Sequence, residues 1–262
     1  MNLSNLKQLR ATYPDLADKV ALVTGSSRGI GAETVRYLAA NQVKVAVNGR
    51  QADAVERVVA EIKSSGGTAI ACVGDCSKLD HIDRIREQIE RQLGVVSLLF
   101  AFAGGDGKPE PIERLTEERW DAVMAGNLKS KFFTVQSFLP GMKENGAGSI
   151  VLMCSAAGRA PSQASLAYSS AQAGVSMLTR NLAQQLGKAG IRVNAIAPST
   201  VMNDKIRQYM PVDQQRSLAA SYAVPRLGEP ADVAAAALFL GSNASSWITG
   251  IVLDVAGGKI MV

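Results

Sequence analysis

An apolar run at residues 19–24 passes directly into Thr-Gly-Ser-Ser-Arg-Gly-Ile-Gly at 24–31, and residues 30–41 continue with helical spacing. No other stretch restricts the fold so sharply. A short, continuously apolar run that ends in glycine reads as a buried strand. Gly25 permits a tight turn, while Gly29 and Gly31 remove side chains where backbone must approach a pyrophosphate and where helix packs on strand. The helix that follows offers unbonded N–H groups and a partial positive charge to an anion. A glycine-rich turn that binds nothing is the plainer alternative. The strand before and the helix after supply the context that a dinucleotide phosphate loop requires.

The remainder repeats the strand–helix alternation. Apolar runs at 43–48, 68–73, 95–101, 149–154, 192–197 and 249–255 read as strands, and residues 52–65, 78–93, a part of 115–138, 167–189 and 231–240 read as helices. Parallel strands need helical crossovers and are apolar along their whole length because helices cover both faces. The expectation is therefore an α/β chain: a three-layer Rossmann fold with a doubly wound parallel sheet of about seven strands in a single domain. Residues 19–262 form that domain, and residues 1–18 are a helical or loose N-terminal extension.

Composition closes off several function classes. The net charge of +5 is scattered, with no basic run interleaved with aromatics, so nucleic acid is not expected as a partner. The only histidine is His81, and the three cysteines, Cys72, Cys76 and Cys154, form no ligand-like cluster, so neither a metal site nor a disulfide framework is expected. Cys72 and Cys76 read as small buried fillers in a reducing compartment. The first eighteen residues resemble neither a signal peptide nor a membrane span, which points to a cytoplasmic protein without a membrane partner.

The end of the second strand bears on the choice of dinucleotide. A carboxylate there holds the ribose 2′-hydroxyl of NAD. This chain has Asn48-Gly49-Arg50, and Arg28 and Arg50 suit a 2′-phosphate, so NADP(H) is preferred and NAD(H) remains open. A solvated surface role is the ordinary alternative for Arg50.

Several further motifs, in order and at set spacing, resemble the short-chain dehydrogenase/reductase family over the chain after residue 18, closest in flavour to bacterial 3-oxoacyl-carrier-protein reductases. These are TGSSRGIG at the loop, Asp75 in Gly-Asp-Cys-Ser, Asn127 in AGNLKS, Ser155 in VLMCSAAG, Tyr168 thirteen residues later in LAYSSAQAG, RVNAIAPS, and ITGIVLDVAGG. The resemblance implies hydride transfer between a nicotinamide and a small-molecule carbonyl or alcohol, including a 3-oxoacyl thioester. Tyr168 would serve as acid/base, Ser155 would hold the substrate oxygen, and Asn127 would hold a water. The cofactor residues carried over are Gly25, Ser27, Arg28, Gly29, Ile30, Gly31, Arg50, Asp75, Cys76, Ala103, Gly104, Tyr168, Gln172, Pro198 and Val201.

The chain departs from that pattern at its most consequential position. The family places a lysine four residues after the tyrosine, whose charge favours the phenolate; here the residue is Gln172. An impaired dinucleotide-binding protein is thus an alternative to an active enzyme. Ala101-Phe102-Ala103-Gly104 replaces Asn-Asn-Ala-Gly, Ser199 follows Pro198 in place of glycine, and Asn203 stands where many relatives have threonine. Lys131, one helical turn beyond Asn127, either points toward Tyr168 or snorkels to solvent or a subunit boundary, the second being the more ordinary. His81 reads as solvated, and Trp120 and Trp247 as packing residues. In the lid expected over residues 202–221, Met202, Ile206, Tyr209 and Met210 can line an apolar pocket. The resemblance also implies a homo-oligomer, a dimer or tetramer, with Val175, Leu178 and Leu182 suited to a helix-pair interface.

Overall fold

Alternate residues of a strand face opposite sides of a sheet, and in this protein both sides are dry. In β1 (Val20–Val23) Leu22 joins one apolar cluster, and Ala21 and Val23 join the other. In β4 (Leu98–Ala101) Leu99 and Ala101 take the first side, Leu98 and Phe100 the second. This double burial is why the strands read as unbroken apolar runs.

The computed structural model describes residues 12–105 and 107–261. Strands β1, β2 (Lys44–Gly49), β3 (Ala69–Val73), β4, β5 (Gly148–Met153), β6 (Ile191–Pro198) and β7 (Val252–Val255) form one seven-stranded sheet in the order β3-β2-β1-β4-β5-β6-β7. Every neighbouring pair is parallel. The helices are α1 (Gly29–Ala40), α2 (Ala52–Ser64), α3 (Leu79–Gln92), α4 (Glu117–Met124), α5 (Ser130–Glu144), α6 (Leu166–Leu186), α7 (Asp204–Tyr209), α8 (Val212–Ala220) and α9 (Pro230–Gly241). Val35 and Leu38 of α1, Val55, Val58 and Ile62 of α2, and Val233 and Ala237 of α9 pack on one face of the sheet. Ile82, Ile85 and Ile89 of α3, Val135 and Phe138 of α5, and Val175 of α6 pack on the other. The result is the three-layer, single-domain α/β arrangement expected, of Rossmann type.

Two details differ from the sequence reading. The helix expected within 115–138 is two helices, α4 and α5, joined through a π-helical turn at Ala125–Lys129 that contains Asn127. Such turns widen a helix locally and recur at functional sites. Of the N-terminal extension, residues 1–11 lie outside the described residues. Beyond them a 3₁₀ turn at Pro14–Leu16 buries Leu16 completely, Asp15 accepts the Asn243 N–H at 2.8 Å, and the Tyr13 N–H reaches Asn41 Oδ1 at 2.8 Å.

The strand order reverses between β1 and β4, so the crossovers on either side diverge and leave a crevice at the carboxyl ends of these strands. Phe100 anchors the strand on the β4 side of that crevice and is fully buried. Phe100→Ala is expected to lower unfolding stability by about 3–5 kcal/mol, read by chemical denaturation.

Candidate active site

The loop between β1 and α1 is closed by its own backbone. Gly25 and Gly29 have φ of +69° and +56°, in the left-handed region that favours glycine. A Cβ on Gly31 would lie 2.5 Å from the Gly25 carbonyl oxygen, and one on Gly25 would lie 3.0 Å from Ala103 Cα. The buried Ser26 hydroxyl donates to the Val23 carbonyl at 2.6 Å. Thr24 Oγ1 accepts the Ala103 N–H at 2.9 Å and so ties the loop to the end of β4. Arg28, the residue before α1, gives the helix no side-chain cap, and nothing lies within 4 Å of a Cβ built on Gly29. The first-turn N–H groups therefore have no side-chain acceptor, and the approach to them is open, as an anion site requires. Ser27 and Ile30 are half-buried beside this opening, and Arg28 is exposed.

Asn48 organises the neighbouring strand ends, a role the sequence reading missed. Its Oδ1 accepts the Gly25 N–H at 3.2 Å and the Cys76 thiol at 3.3 Å, and its Nδ2 donates to the carbonyls of Cys72 at 2.9 Å and Gly74 at 3.2 Å. An amide at the end of an otherwise apolar strand was the available signal. Arg50, two residues on, is exposed. Asp75 accepts both the N–H and the hydroxyl of Ser77 on Oδ1, at 2.9 and 2.8 Å. Burial pushes the Asp75 carboxyl up, but the Ser77 hydrogen bonds and the nearby Arg50 and His81 hold it below its ordinary value. His81 is not simply solvated as expected: its Nδ1 accepts the Asp75 N–H at 3.0 Å and fixes that turn. The buried Cys72 and Cys76 thiols are both pushed up to about 12, chiefly by burial, which suits inert fillers.

Asn127, Ser155, Tyr168 and Gln172 come together across the crevice. Ser155 follows β5, caps the 3₁₀ turn at Ala156–Gly158 and accepts the Ala157 N–H on Oγ at 3.2 Å. Tyr168 and Gln172 lie one turn apart on α6, which Ser165 caps. The side chains of Ser155 and Gln172 lie beside the Tyr168 phenol and favour its ionised form. Gln172 Nε2 donates to Asn127 Oδ1 at 3.2 Å, and that oxygen also accepts the Gly105 N–H at 2.8 Å. Asn127 Nδ2 donates in turn to the carbonyls of Gly105 and Val123. Burial raises the Tyr168 phenol above its ordinary value, with Cys154 adding to the rise; the Ser155 and Gln172 hydrogen bonds oppose it. Gln172 Oε1 is buried and has no hydrogen-bond partner among the described residues.

Lys131 corrects the expectation that it snorkels outward. It is 2% exposed, and its Nζ donates to the carbonyls of Ala103 and Asn127, both at 2.8 Å. A Cβ on Gly104 would lie 2.6 Å from Asn127 Oδ1 and 3.2 Å from that ammonium, so the Ala103-Gly104 turn rests directly on both.

On the far side Pro198 is buried at the end of β6 and Val201 forms a bridge to Gly228. Ser199 and Tyr222 share a 2.8 Å hydrogen bond that draws the ends of the expected lid together; between them lie α7 and α8. Asn203 caps α7 by accepting the Ile206 N–H. Tyr209, expected to line a pocket, is 73% exposed, and Trp247, expected to pack, is 99% exposed. Val175 is buried in the core of its own sheet, and Leu178 and Leu182 are half-buried and pack against that core.

Residues 19–211 match the family described as short chain dehydrogenase. The chain is 35% identical over 245 residues to 7alpha-hydroxysteroid dehydrogenase of Escherichia coli, covering 94% of this chain and 95% of that one. It is 34% identical over 245 residues to a 3-oxoacyl-acyl-carrier-protein reductase of Staphylococcus epidermidis, covering 93% of this chain and all of that one (100%). Among solved structures it resembles a 7 alpha-hydroxysteroid dehydrogenase complexed with NADH and 7-oxo glycochenodeoxycholic acid, with a TM-score of 0.89 at 34% identity over 95% of this chain and 98% of the other. A 3-oxoacyl-acyl-carrier-protein reductase from Brucella melitensis with bound NAD gives 0.88 at 29% identity over 98% and 96%.

Removal of the Asn48 amide leaves buried backbone groups of the loop and of β3 without partners. Asn48→Ala is expected to cost about 1–3 kcal/mol in stability, read by chemical denaturation.

Proposed function

The chain belongs to the short-chain dehydrogenase family and is an NAD(P)-dependent oxidoreductase of that family; from that premise we propose that it interconverts a small carbonyl compound and its alcohol with NADP(H). The observation that carries this reading is the meeting of Ser155, Tyr168, Gln172 and Asn127 in one crevice, where Ser155 and Gln172 act on the Tyr168 phenol and Gln172 is hydrogen-bonded to Asn127 beside the Ala103–Gly105 turn. The residues fit a dinucleotide. The uncapped start of α1 and the space at Gly29 suit a pyrophosphate, and the orphaned Gln172 Oε1 suits a hydroxyl donor such as a ribose. Gly25, Ser27, Arg28, Gly29, Ile30 and Gly31 would hold the phosphates, Asp75 and Cys76 would border the adenine, and Ala103, Gly104, Pro198 and Val201 would border the nicotinamide end.

When bound, the nicotinamide supplies or takes the hydride at the substrate carbon. The protein's part is the proton and the oxygen. Tyr168, its phenol raised by burial, keeps its proton at neutral pH and donates it to the substrate oxygen in carbonyl reduction. Ser155 donates its hydroxyl to the same oxygen, since its own oxygen is already held by the Ala157 N–H. Gln172 orients Tyr168 without a charge. Alcohol oxidation runs the proton the other way and needs the phenolate, so it strengthens as pH rises. The alternative of an impaired dinucleotide-binding protein draws no support from relatives that carry dehydrogenase and reductase names.

Arg28 and Arg50 are exposed at the outer end of the crevice, and the end of β2 offers no carboxylate to a ribose 2′-hydroxyl. This supports NADP(H) over NAD(H), although the solved relatives carry NADH and NAD. The three buried, unpaired cysteines support a reducing, cytoplasmic setting, and no helix among the described residues is long and apolar enough to cross a membrane. Exposed apolar residues on the helices beside the site, among them Phe132 and Met177, support a dimer or tetramer. Residues 19–262 act as one domain, with residues 1–18 as its extension.

The deciding experiment is NADPH oxidation with an acetoacetyl thioester and with an oxo-steroid; turnover of neither, alongside a wider carbonyl panel, would sink the reading. Tyr168→Phe is expected to lower kcat by about 10²–10⁴-fold. Arg50→Ala should weaken NADPH about tenfold or more and leave NADH unchanged, by fluorescence titration. Gln172→Lys places a cation beside the phenol and should move the rise of alcohol oxidation about 1–3 pH units lower.

A further inference from the structure

Lys131 is the one fully buried amine among the described residues, and no described carboxylate pairs with it. Its three N–H bonds meet two backbone carbonyls, those of Ala103 and Asn127. The groups packed directly on it are neutral, and the nearest charged ones lie a residue further out: Asp75, beside Cys76 in the loop after β3, and Arg159, near Cys154. The loop after β3 brings the Cys76 thiol and the end of β5 brings Cys154, both pushed up by burial; α6 brings Gln172 and the raised Tyr168 phenol. Thr134 on its own helix is buried and uncharged. A buried ammonium held only by carbonyl dipoles carries a large desolvation cost, and burial lowers Lys131 to about 8.

The turn that rests on this ammonium is also the floor of the anion site. Ala103 accepts Lys131 on its carbonyl and donates its N–H to Thr24 at the mouth of the phosphate loop, and Gly25 abuts its Cα. An anion on the start of α1 therefore approaches the turn whose Ala103 carbonyl holds the Lys131 ammonium, and no described carboxylate forms an ion pair with that ammonium. We propose that Lys131 is the charge counterpart of the bound dinucleotide, so that binding of the anionic ligand is coupled to Lys131 holding its proton. This rests on the dinucleotide reading above.

The sign follows from linkage. A nearby anion raises the proton affinity of Lys131, so affinity is full below its free-state value and falls as pH rises through about 8. Within that window binding takes up protons.

The test is calorimetric titration of the full-length protein with NADP⁺ and NADPH near pH 8, in two buffers of different ionisation enthalpy. The parent is expected to take up roughly half a proton per dinucleotide, and its affinity should decline toward higher pH. Lys131→Met should take up none and bind about tenfold more weakly at neutral pH, with a flat profile. Should that variant fail to fold, Lys131→Gln keeps N–H donors for the carbonyls without the charge and is expected to give the same flat profile. Binding by the parent without proton uptake, or equal uptake by parent and variant, overturns the inference alone. Absence of any dinucleotide binding by the parent overturns the oxidoreductase reading and this inference with it.

Discussion

The hydrogen bond from the Ala103 N–H to Thr24 Oγ1 holds together the two strand ends on which the site is built. β1 and β4 are neighbours, yet their crossovers leave in opposite directions, so no helix seals the carboxyl edge between them. Backbone groups at that edge still need partners. Three polar side chains provide them: Thr24 for the turn after β4, Asn48 for the phosphate loop and the end of β3, and Lys131 for the carbonyls of Ala103 and Asn127. Each is fully or almost fully buried, and each fixes a stretch of backbone that a strand or helix would otherwise have fixed.

This arrangement separates two tasks. Orientation of Tyr168 falls to neutral groups, Ser155 and Gln172, while positive charge lies deeper, beneath the turn. A tyrosine so surrounded retains its proton and serves better as an acid than as a base, which favours reduction in the reading given above.

Much of this was legible in the residues because it follows from periodicity and from glycine. The strand runs have one simple cause, burial on two faces, and Gly25, Gly29 and Gly31 answer to local steric demands. That Ser155 and Tyr168 belong to one site came from the family resemblance, and the two residues lie at a strand end and at the start of a helix on one crevice. What stayed hidden depends on contacts between distant segments. A lysine four residues after Asn127 looks like any lysine on a helix, and only the turn after β4 makes its burial possible. His81 looked solvated because its acceptor role needs the Asp75 N–H to turn back toward it. Asn48 announced an absent carboxylate, whereas its work is done through four hydrogen bonds to other segments. Trp247 was expected to pack, and the chain leaves it in solvent.

The π-helical turn at Ala125–Lys129 fits an extra residue into a helix whose two halves serve different masters. Asn127 in the turn reaches the Gly105 turn and the Val123 carbonyl; downstream, Lys131 holds the Ala103 carbonyl, and Val135 and Phe138 face the sheet. Loss of one residue between 125 and 129 would let the helix tighten to the ordinary pitch and rotate everything after it by about 100°. The ammonium and the apolar residues beyond it would then swing off the core together. Chain length is consequently frozen across this segment, and insertions or deletions in descendants of this sequence have to be accommodated elsewhere, as in the exposed helices between Ser199 and Tyr222.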